Sequence, residues 1–186
     1  MKIGIDIDDT MTNTFDYLMP YISDFFKVNI DYLKSNNISY STFPEKMKKR
    51  ELAFAKKYYD KVIPNTPFKA GVSDYISKIK SLGNEIIIIT ARDKTLYTDE
   101  YKTTIDELKN NDIFYDKLIC TFDKSKVCKE EKIDLFIDDS ISNCNKVEQL
   151  GIKTILFNSK SNINIKTNLH RVNSWDELYE IIKNMN

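Results

Sequence analysis

The sequence is poor in cysteine and has no long apolar segment. Its three cysteines, Cys120, Cys128 and Cys144, are an odd set without the spacing of paired or metal-binding cysteines, which argues against a disulfide framework or a zinc site. No apolar run approaches the ~20 residues that a membrane span requires, and no secretory segment is recognisable. We therefore expect a soluble, cytoplasmic protein with reduced thiols.

The chain also has no excess of either charge. Lysine plus arginine and aspartate plus glutamate number 28 each, so the formal net charge is +0. This balance gives no reason to expect a nucleic acid or a membrane surface as partner, and any charge-based function must be local. Internal repeats, low-complexity tracts and Gly/Ser linkers are absent. The only histidine, His170, lies in a late loop and receives no catalytic or metal role.

Acidic residues follow the first apolar stretch of the chain. Residues 2–7 alternate in β-branched isoleucines and predict a short buried strand, in which Gly4 allows close approach of a neighbour. Asp6 and Asp8 lie at its carboxyl edge, and Asp9 follows. Two like charges about 4 Å apart repel by roughly 4 kcal/mol at an effective dielectric near 20. We therefore expect a cation to bind there.

Strands and helices alternate over most of the remaining chain. Further strands are predicted at 85–89, 117–121, 134–137 and 153–157, with helices between them and a final helix that opens at Ser174. The alternation predicts an α/β fold with a doubly wound parallel sheet. Ligands of such sheets bind beyond the carboxyl ends of the strands, where the acids are expected.

Residues 14–63 interrupt this alternation with helical patterns. Pro20 lies within the first pattern and predicts a late start or a kink. A polar stretch at 31–42 precedes a second helix that opens with Phe43-Pro44-Glu45. We interpret 14–63 as a small helical insertion, and 1–13 with 64–186 as the α/β core.

Acids, a hydroxyl and a lysine follow successive core strands in a fixed order. These are Asp6-Ile7-Asp8-Asp9-Thr10, Thr90, Lys124 and Asp138-Asp139. In this order they resemble the four motifs of the haloacid dehalogenase-like (HAD) hydrolase superfamily. That resemblance implies a Rossmann-like HAD core, with the helical insertion after the first strand as its cap.

A nearer resemblance comes from the middle and the end of the chain. Segments similar to the 5'(3')-deoxyribonucleotidase branch and its bacterial nucleotidases are Pro67-Phe68-Lys69-Ala70-Gly71, Ile89-Thr90-Ala91-Arg92, Leu135-Phe136-Ile137-Asp138-Asp139 and Arg171-Val172-Asn173-Ser174-Trp175. This branch places its substrate-contacting cap at the position of residues 14–63, but few residues of that segment can be matched to the branch one by one. The resemblance implies a small phosphate ester as substrate, and within that class a (deoxy)ribonucleoside monophosphate.

The resemblance also implies a role for each motif residue. Asp6 would attack phosphorus and form an aspartyl-phosphate, and Asp8 would be the general acid and base. Mg²⁺ is the expected cofactor, held by the Asp6 and Asp138 carboxylates and the Asp8 backbone carbonyl. Asp139 would hold a water of the metal or orient Lys124. Expected phosphate contacts come from Thr90, Ala91, Arg92 and Lys124.

Several alternatives stay open at this point. Lys126 competes with Lys124 for the lysine role, and Lys94 is a weaker phosphate contact than Arg92. Phe15 is a candidate base contact because it follows the acidic loop, and Tyr17 and Phe43 are weaker candidates for the same role.

Two other functions share these residue types. Another HAD phosphatase, acting on a sugar phosphate or a similar metabolite, uses the same core. A receiver-like phosphoacceptor signalling domain also uses acids, a hydroxyl, a lysine and Mg²⁺. It places its acceptor Asp after the third strand, whereas the Asp-x-Asp here follows the first strand.

Overall fold

The computed structural model describes residues 1–185 as a six-stranded parallel sheet with helices packed on both faces. The strands follow the order β3-β2-β1-β4-β5-β6 across the sheet. Their bounds are β1 Lys2–Ile5, β2 Glu85–Thr90, β3 Lys117–Cys120, β4 Leu135–Asp138, β5 Lys153–Phe157 and β6 Arg171–Val172.

The helices fall into an early group before β2 and a later group between and after the strands. The early helices are α1 Thr14–Phe26, α2 Ile30–Ser35, α3 Glu45–Lys48, α4 Glu51–Val62 and α5 Val72–Ser81, with 3₁₀ turns at Tyr40–Thr42 and Ile63–Asn65. The later helices are α6 Glu100–Asn110, α7 Lys124–Glu130, α8 Ile141–Glu148 and α9 Trp175–Met185. None of the helices within 1–185 has both the length and the apolar character needed to cross a bilayer.

Strand β1 lies at the centre of the sheet, between β2 and β4. The chain runs from β1 outward through β2 to β3, and then returns to β4 on the other side. The strand order therefore reverses between β1 and β4, which opens a crevice at their carboxyl ends. The predicted doubly wound α/β fold is confirmed.

The two faces of the sheet carry separate apolar clusters. Ile3 and Ile5 of β1 pack with helices α5 and α9 on one face. On the other face, residues of β2 and β4 pack with α7 and α8. Gly4 faces this second cluster, where an added Cβ would lie 3.0 Å from Ile89 and 3.2 Å from Phe136. The central strand thus needs glycine at this position because its neighbours leave no room.

Residues 14–63 form helices with an apolar cluster of their own, centred on Phe54, Leu18 and Ile22. Helix α1 begins at Thr14 and continues through Pro20, so of the two predicted alternatives, a late start or a kink, the late start is wrong. Pro20 is exposed and removes only one N–H donor. The buried face of α1 outweighs that loss.

Two elements are missing from the sequence-based prediction. Helix α2 begins at Ile30 and otherwise lies inside the stretch 31–42, for which the sequence indicated only polarity and no helix. It buries only Leu33, so it has little apolar period, and the Asn29 side chain caps it by accepting from the Asp31 N–H at 2.6 Å. Strand β6 has two residues and pairs with β5 at the sheet edge. The remaining predicted strands are present, with ends shifted by one or two residues.

Candidate active site

The side chain of Lys124 joins two acids that belong to different strands. Lys124 opens α7, while Asp6 follows β1 directly and Asp138 ends β4. Its ammonium donates to Asp6 Oδ1 at 2.5 Å and to Asp138 Oδ2 at 2.7 Å. All three residues are buried. The carboxyl ends of neighbouring strands therefore meet at one charged centre.

Burial and mutual repulsion strongly perturb these groups. Burial raises the pKa of Asp6 to about 7, against the lowering effect of Lys124, with Asp138 and Asp8 adding to the rise. Burial disfavours the charge of Lys124, but the Asp138 and Asp6 carboxylates prevail and raise its pKa. Burial, together with Asp9 and Asp138, raises the pKa of Asp139. One lysine therefore does not neutralise the acid cluster.

The acid cluster has the composition of a site for a hard divalent cation. Asp6, Asp138 and Asp139 each offer a carboxylate oxygen, and these oxygens lie within 4.8 Å of one another. Asp138 is fixed by the Ser140 N–H at 2.6 Å, and Asp139 accepts from Ser159 Oγ at 2.7 Å. Clustered carboxylates in need of positive charge fit Mg²⁺, which prefers oxygen ligands. In the structure Lys124 contacts Asp138, whereas the Asp139 side chain is held by Ser159.

The loop after β1 is held in place from three sides. Asp9 has a left-handed backbone (φ 60°), and its carboxylate accepts from the Phe15 N–H at 3.0 Å, next to the start of α1. Lys69 donates to the carbonyls of Asp9 and Thr10. The Asp8 carboxylate accepts from Thr14 Oγ1 at 2.9 Å. This loop is therefore preorganised, since the Asp8 and Asp9 carboxylates and the Asp9 and Thr10 carbonyls all have fixed partners.

The end of β2 presents a hydroxyl that has no partner. Thr90 is fully buried, and its Oγ1 makes no hydrogen bond within residues 1–185. Such orphaned hydroxyls are uncommon, and residues 1–185 have four more, those of Thr10, Thr66, Thr154 and Ser161. The next residues, Ala91 and Arg92, line the cavity. Arg92 is 1% exposed and paired with Asp8.

A cavity of about 790 Å³ lies above the charged centre. Its floor includes Asp6, Asp8, Lys124 and the acid pair after β4, all from the sheet edge. Its other walls come from both regions. Residues 14–63 contribute Thr14, Tyr40, Ser41, Lys48, Glu51, Leu52, Ala55, Tyr59 and Ile63, and the core contributes loop residues that include Leu96, Tyr97, Phe122, Ile141 and Ile165. The core thus supplies the clustered acids and Lys124, and both regions supply apolar side chains to the cavity.

Several candidate residues lie away from the cavity. Phe15 is 1% exposed and packs edge-on against Tyr40 at 4.9 Å, so the structure corrects its placement as a base contact. Its position on the buried face of α1 explains this. Phe43 is likewise buried in the helical cluster. Lys126 is exposed and pairs with Glu130, and Lys94 is also exposed.

The sequence reasoning missed residues that contact the site from a distance along the chain. Glu107 on α6 binds Arg92, and Asn162 donates to the Asp139 carbonyl at 2.7 Å. The Tyr59 hydroxyl donates to that of Tyr40 at 2.9 Å beside the cavity. No local pattern marks these positions. Lys69, which donates to the carbonyls of the loop after β1, differs from them because it belongs to the segment Pro67-Phe68-Lys69-Ala70-Gly71 of the nucleotidase resemblance.

Solved structures share the fold over nearly the whole chain. A structure described as a predicted phosphatase from Clostridium acetobutylicum is 15% identical, with a TM-score of 0.68 and coverage of 98% of each chain. A haloacid dehalogenase-like hydrolase from Streptococcus pneumoniae is 14% identical, with a TM-score of 0.63 and 97% of each chain covered. A HAD-superfamily hydrolase from Ehrlichia chaffeensis is 13% identical, with a TM-score of 0.59, and the alignment covers 100% of this chain and 97% of that one.

The comparison by sequence gives the family. None of the curated proteins compared with the chain matched it. The family described as "5' nucleotidase, deoxy (Pyrimidine), cytosolic type C protein" matches residues 1–185. Together with the HAD-type sheet and its acids, this match identifies a phosphatase of the HAD superfamily. The chain therefore belongs to the 5' nucleotidase, deoxy (pyrimidine), cytosolic type C protein family.

Proposed function

We propose that this protein is a Mg²⁺-dependent 5'-nucleotidase that hydrolyses (deoxy)ribonucleoside monophosphates through an aspartyl-phosphate on Asp6. The observation that carries the proposal is the Lys124 ammonium bridging Asp6 and Asp138 at the floor of the cavity. A carboxylate nucleophile and a buried cation side by side suit attack on an electron-rich phosphate ester. Membership of a nucleotidase family favours a nucleoside monophosphate as substrate.

In the first half-reaction, the Asp6 carboxylate attacks phosphorus and the ester P–O bond breaks. Asp8 gives a proton to the departing alcohol oxygen. Lys124 and the Thr90 hydroxyl would stabilise the phosphate oxygens, together with the amides of Ala91 and Arg92. The orphaned state of Thr90 Oγ1 supports this assignment, because a phosphate oxygen would supply its missing partner.

In the second half-reaction, Asp8 takes a proton from water, which attacks the phosphorus of the aspartyl-phosphate. The acyl-phosphate bond breaks, inorganic phosphate leaves and Asp6 is regenerated. Asp6, Asp138 and Asp139 would hold Mg²⁺ with the Asp8 carbonyl. When bound, the ion would add positive charge against the phosphate and the clustered acids.

We also propose that residues 14–63 are the cap that selects the substrate. Tyr40, Leu52, Ala55 and Tyr59 line the same cavity as Asp6, Asp8 and Lys124, as contacts for the part of the substrate beyond the phosphate would. This role assigns substrate choice to the region with the least family resemblance. The division of the chain into a core of 1–13 and 64–186 and an inserted cap of 14–63 is part of the same proposal.

A substrate screen tests the proposal. Purified protein is assayed against nucleoside monophosphates, sugar phosphates and p-nitrophenyl phosphate, with MgCl₂ or with EDTA. We expect Mg²⁺-dependent release of phosphate, fastest from nucleoside monophosphates. Asp6→Asn should lower kcat by at least about 10³-fold, because the nucleophile is lost.

Each part of the proposal has its own contrary result. Turnover by Asp6→Asn at the wild-type rate would refute the nucleophile. Equal rates in EDTA and MgCl₂ would refute the metal requirement. Faster hydrolysis of sugar phosphates than of every nucleotide would refute the substrate class while leaving the phosphatase chemistry in place.

A further inference from the structure

The guanidinium group of Arg92 has all of its donors engaged. Nε and Nη2 donate to the two oxygens of Asp8, each at 3.2 Å. Nη2 also donates to Glu107 Oε1 at 3.3 Å, while Nη1 donates to Glu107 Oε2 and to Thr104 Oγ1. These bonds account for the five N–H donors of an arginine side chain. No donor remains for a substrate phosphate unless one of these bonds breaks.

Arg92 and Glu107 form an ion pair that is removed from water. Their side chains are 1% and 0% exposed. Taking two charges out of water is costly, and a well-packed apolar pair in the same space often gives equal stability. A need for stability therefore does not explain this pair. A role is indicated by the second partner of Arg92, because the guanidinium that binds Glu107 also binds the Asp8 carboxylate in the cavity.

We propose that Glu107 and Arg92 are positioning residues for the general acid and base Asp8. Glu107 on α6 fixes the plane of the guanidinium. The Nε and Nη2 edge of the guanidinium then holds both Asp8 oxygens in one orientation. The inference rests on the proposed function, since it requires that Asp8 act on the leaving group. Neither side chain touches the phosphate in this arrangement; the contact proposed above for Arg92 is that of its backbone amide.

The geometry also explains why arginine stands at this position. A guanidinium is planar and can hold one carboxylate bidentately while a second carboxylate binds its other edge. A lysine would keep the charge but would lose the fixed angle between the two acids. Tyr97 lies beside the guanidinium, with its ring centroid 5.7 Å from Arg92 Cζ, and restricts its movement further.

The test is Glu107→Gln, assayed with a nucleoside monophosphate and with p-nitrophenyl phosphate. A nucleoside leaving group needs a proton, whereas p-nitrophenolate leaves without one. We expect kcat to fall about 10- to 100-fold for the nucleotide and clearly less for p-nitrophenyl phosphate, with KM little changed, because general acid catalysis contributes about 10²- to 10⁴-fold. Arg92→Lys should show the same selectivity.

A double-mutant cycle separates positioning from a general loss of structure. In an Asp8→Asn background, Glu107→Gln should cause no further loss, because its effect passes through Asp8. Asp106→Asn is the matched control on the same helix. Asp106 is exposed, and within residues 1–185 its side chain pairs with Lys102, so this variant should retain wild-type rates. Circular dichroism checks that each variant folds. If Glu107→Gln does not fold, Arg92→Lys is used in its place in the cycle.

Three results would overturn the inference. They are wild-type kinetics in Glu107→Gln, an equal loss on both substrates, or an undiminished loss in the Asp8→Asn background. These outcomes are distinct from a failure of the proposed function. In that case wild-type protein itself would release no phosphate from any ester, or Asp6→Asn would remain active.

Discussion

At the scale of single residues, the site separates two lysines that are two positions apart in sequence. Lys124 lies 3% exposed between Asp6 and Asp138, whereas Lys126 lies on the outside of α7. The first turn of α7 turns one side chain into the crevice and the other into solvent. Their common charge and chain position make them a matched pair for mutagenesis.

We expect Lys124→Met to lower kcat by about 10²- to 10³-fold, the usual effect of removing one preorganised group that stabilises charge in the transition state. Lys126→Met should keep the wild-type kcat, because an exposed ion pair contributes little. Steady-state kinetics on a nucleoside monophosphate measure both. Equal losses in the two variants, or a greater loss in Lys126→Met, would assign the catalytic lysine differently.

At the scale of elements, strand β1 has to bring Asp6 to the centre of the sheet. It does so as a central strand of the sheet, with parallel neighbours on both sides. Gly4 lies against Ile89, Ile133 and Phe136, so its backbone approaches them closely. Packing around β1 therefore fixes the position of the nucleophile.

Two glycine variants test this packing. Gly4→Val should reduce the free energy of unfolding by about 1 to 3 kcal/mol, the usual effect of overpacking a full core, and should lower kcat as well. Gly83→Ala has open space around it but a φ of +83°, so it should cost about 1 kcal/mol through backbone strain alone and leave kcat unchanged. Urea unfolding at constant m-value measures both. Wild-type stability in Gly4→Val would contradict the close packing.

At the scale of the whole molecule, the chain has no net charge but concentrates acids at one end of its sheet. Contacts from distant segments converge on the same edge. Ser41 Oγ donates to the Ser161 carbonyl at 2.7 Å, and Lys160 pairs with Asp16, so the loop after β5 touches the helical region. Ser159 of that loop also holds Asp139. The cavity walls and the acid cluster are thus physically connected.

The crowding of acids predicts a pH-dependent stability in metal-free protein. Burial raises the pKa of Asp6 from 3.8 to about 7, so the folded state binds this proton more tightly than the unfolded state does. The resulting stabilisation is complete below pH 3.8 and is lost as the pH rises through about 7. In EDTA, wild-type protein should therefore lose stability relative to Asp6→Asn over this interval.

Chemical unfolding of both proteins across the pH range measures the difference. Added Mg²⁺ at the alkaline end should restore stability to wild type, by about 2.7 kcal/mol at one hundred times its Kd. Asp138→Asn, which removes a proposed ligand, should respond less. A stability difference that does not change with pH would contradict the raised pKa of Asp6.

The sequence by itself determined the order of strands and helices and the motif residues at the strand ends. These are local properties: β-branched runs make strands such as β5, and a glycine such as Gly83 ends a helix. The acid pair, the threonine and the lysine could be read in order because each lies at or shortly after the carboxyl end of a strand. The parallel sheet then had to bring them to one edge.

Only the tertiary structure decided which side chains meet. Arg92 reads in sequence as a phosphate contact, but its bonds go to Asp8, 84 positions away, and to Glu107, 15 positions away. Phe15 follows the acidic loop in sequence, yet its side of α1 faces the helical cluster rather than the cavity. Periodicity and propensity act over a few residues, whereas these pairings depend on how helices pack across the sheet edge. The partners of Asp8 therefore emerge only once the chain is folded.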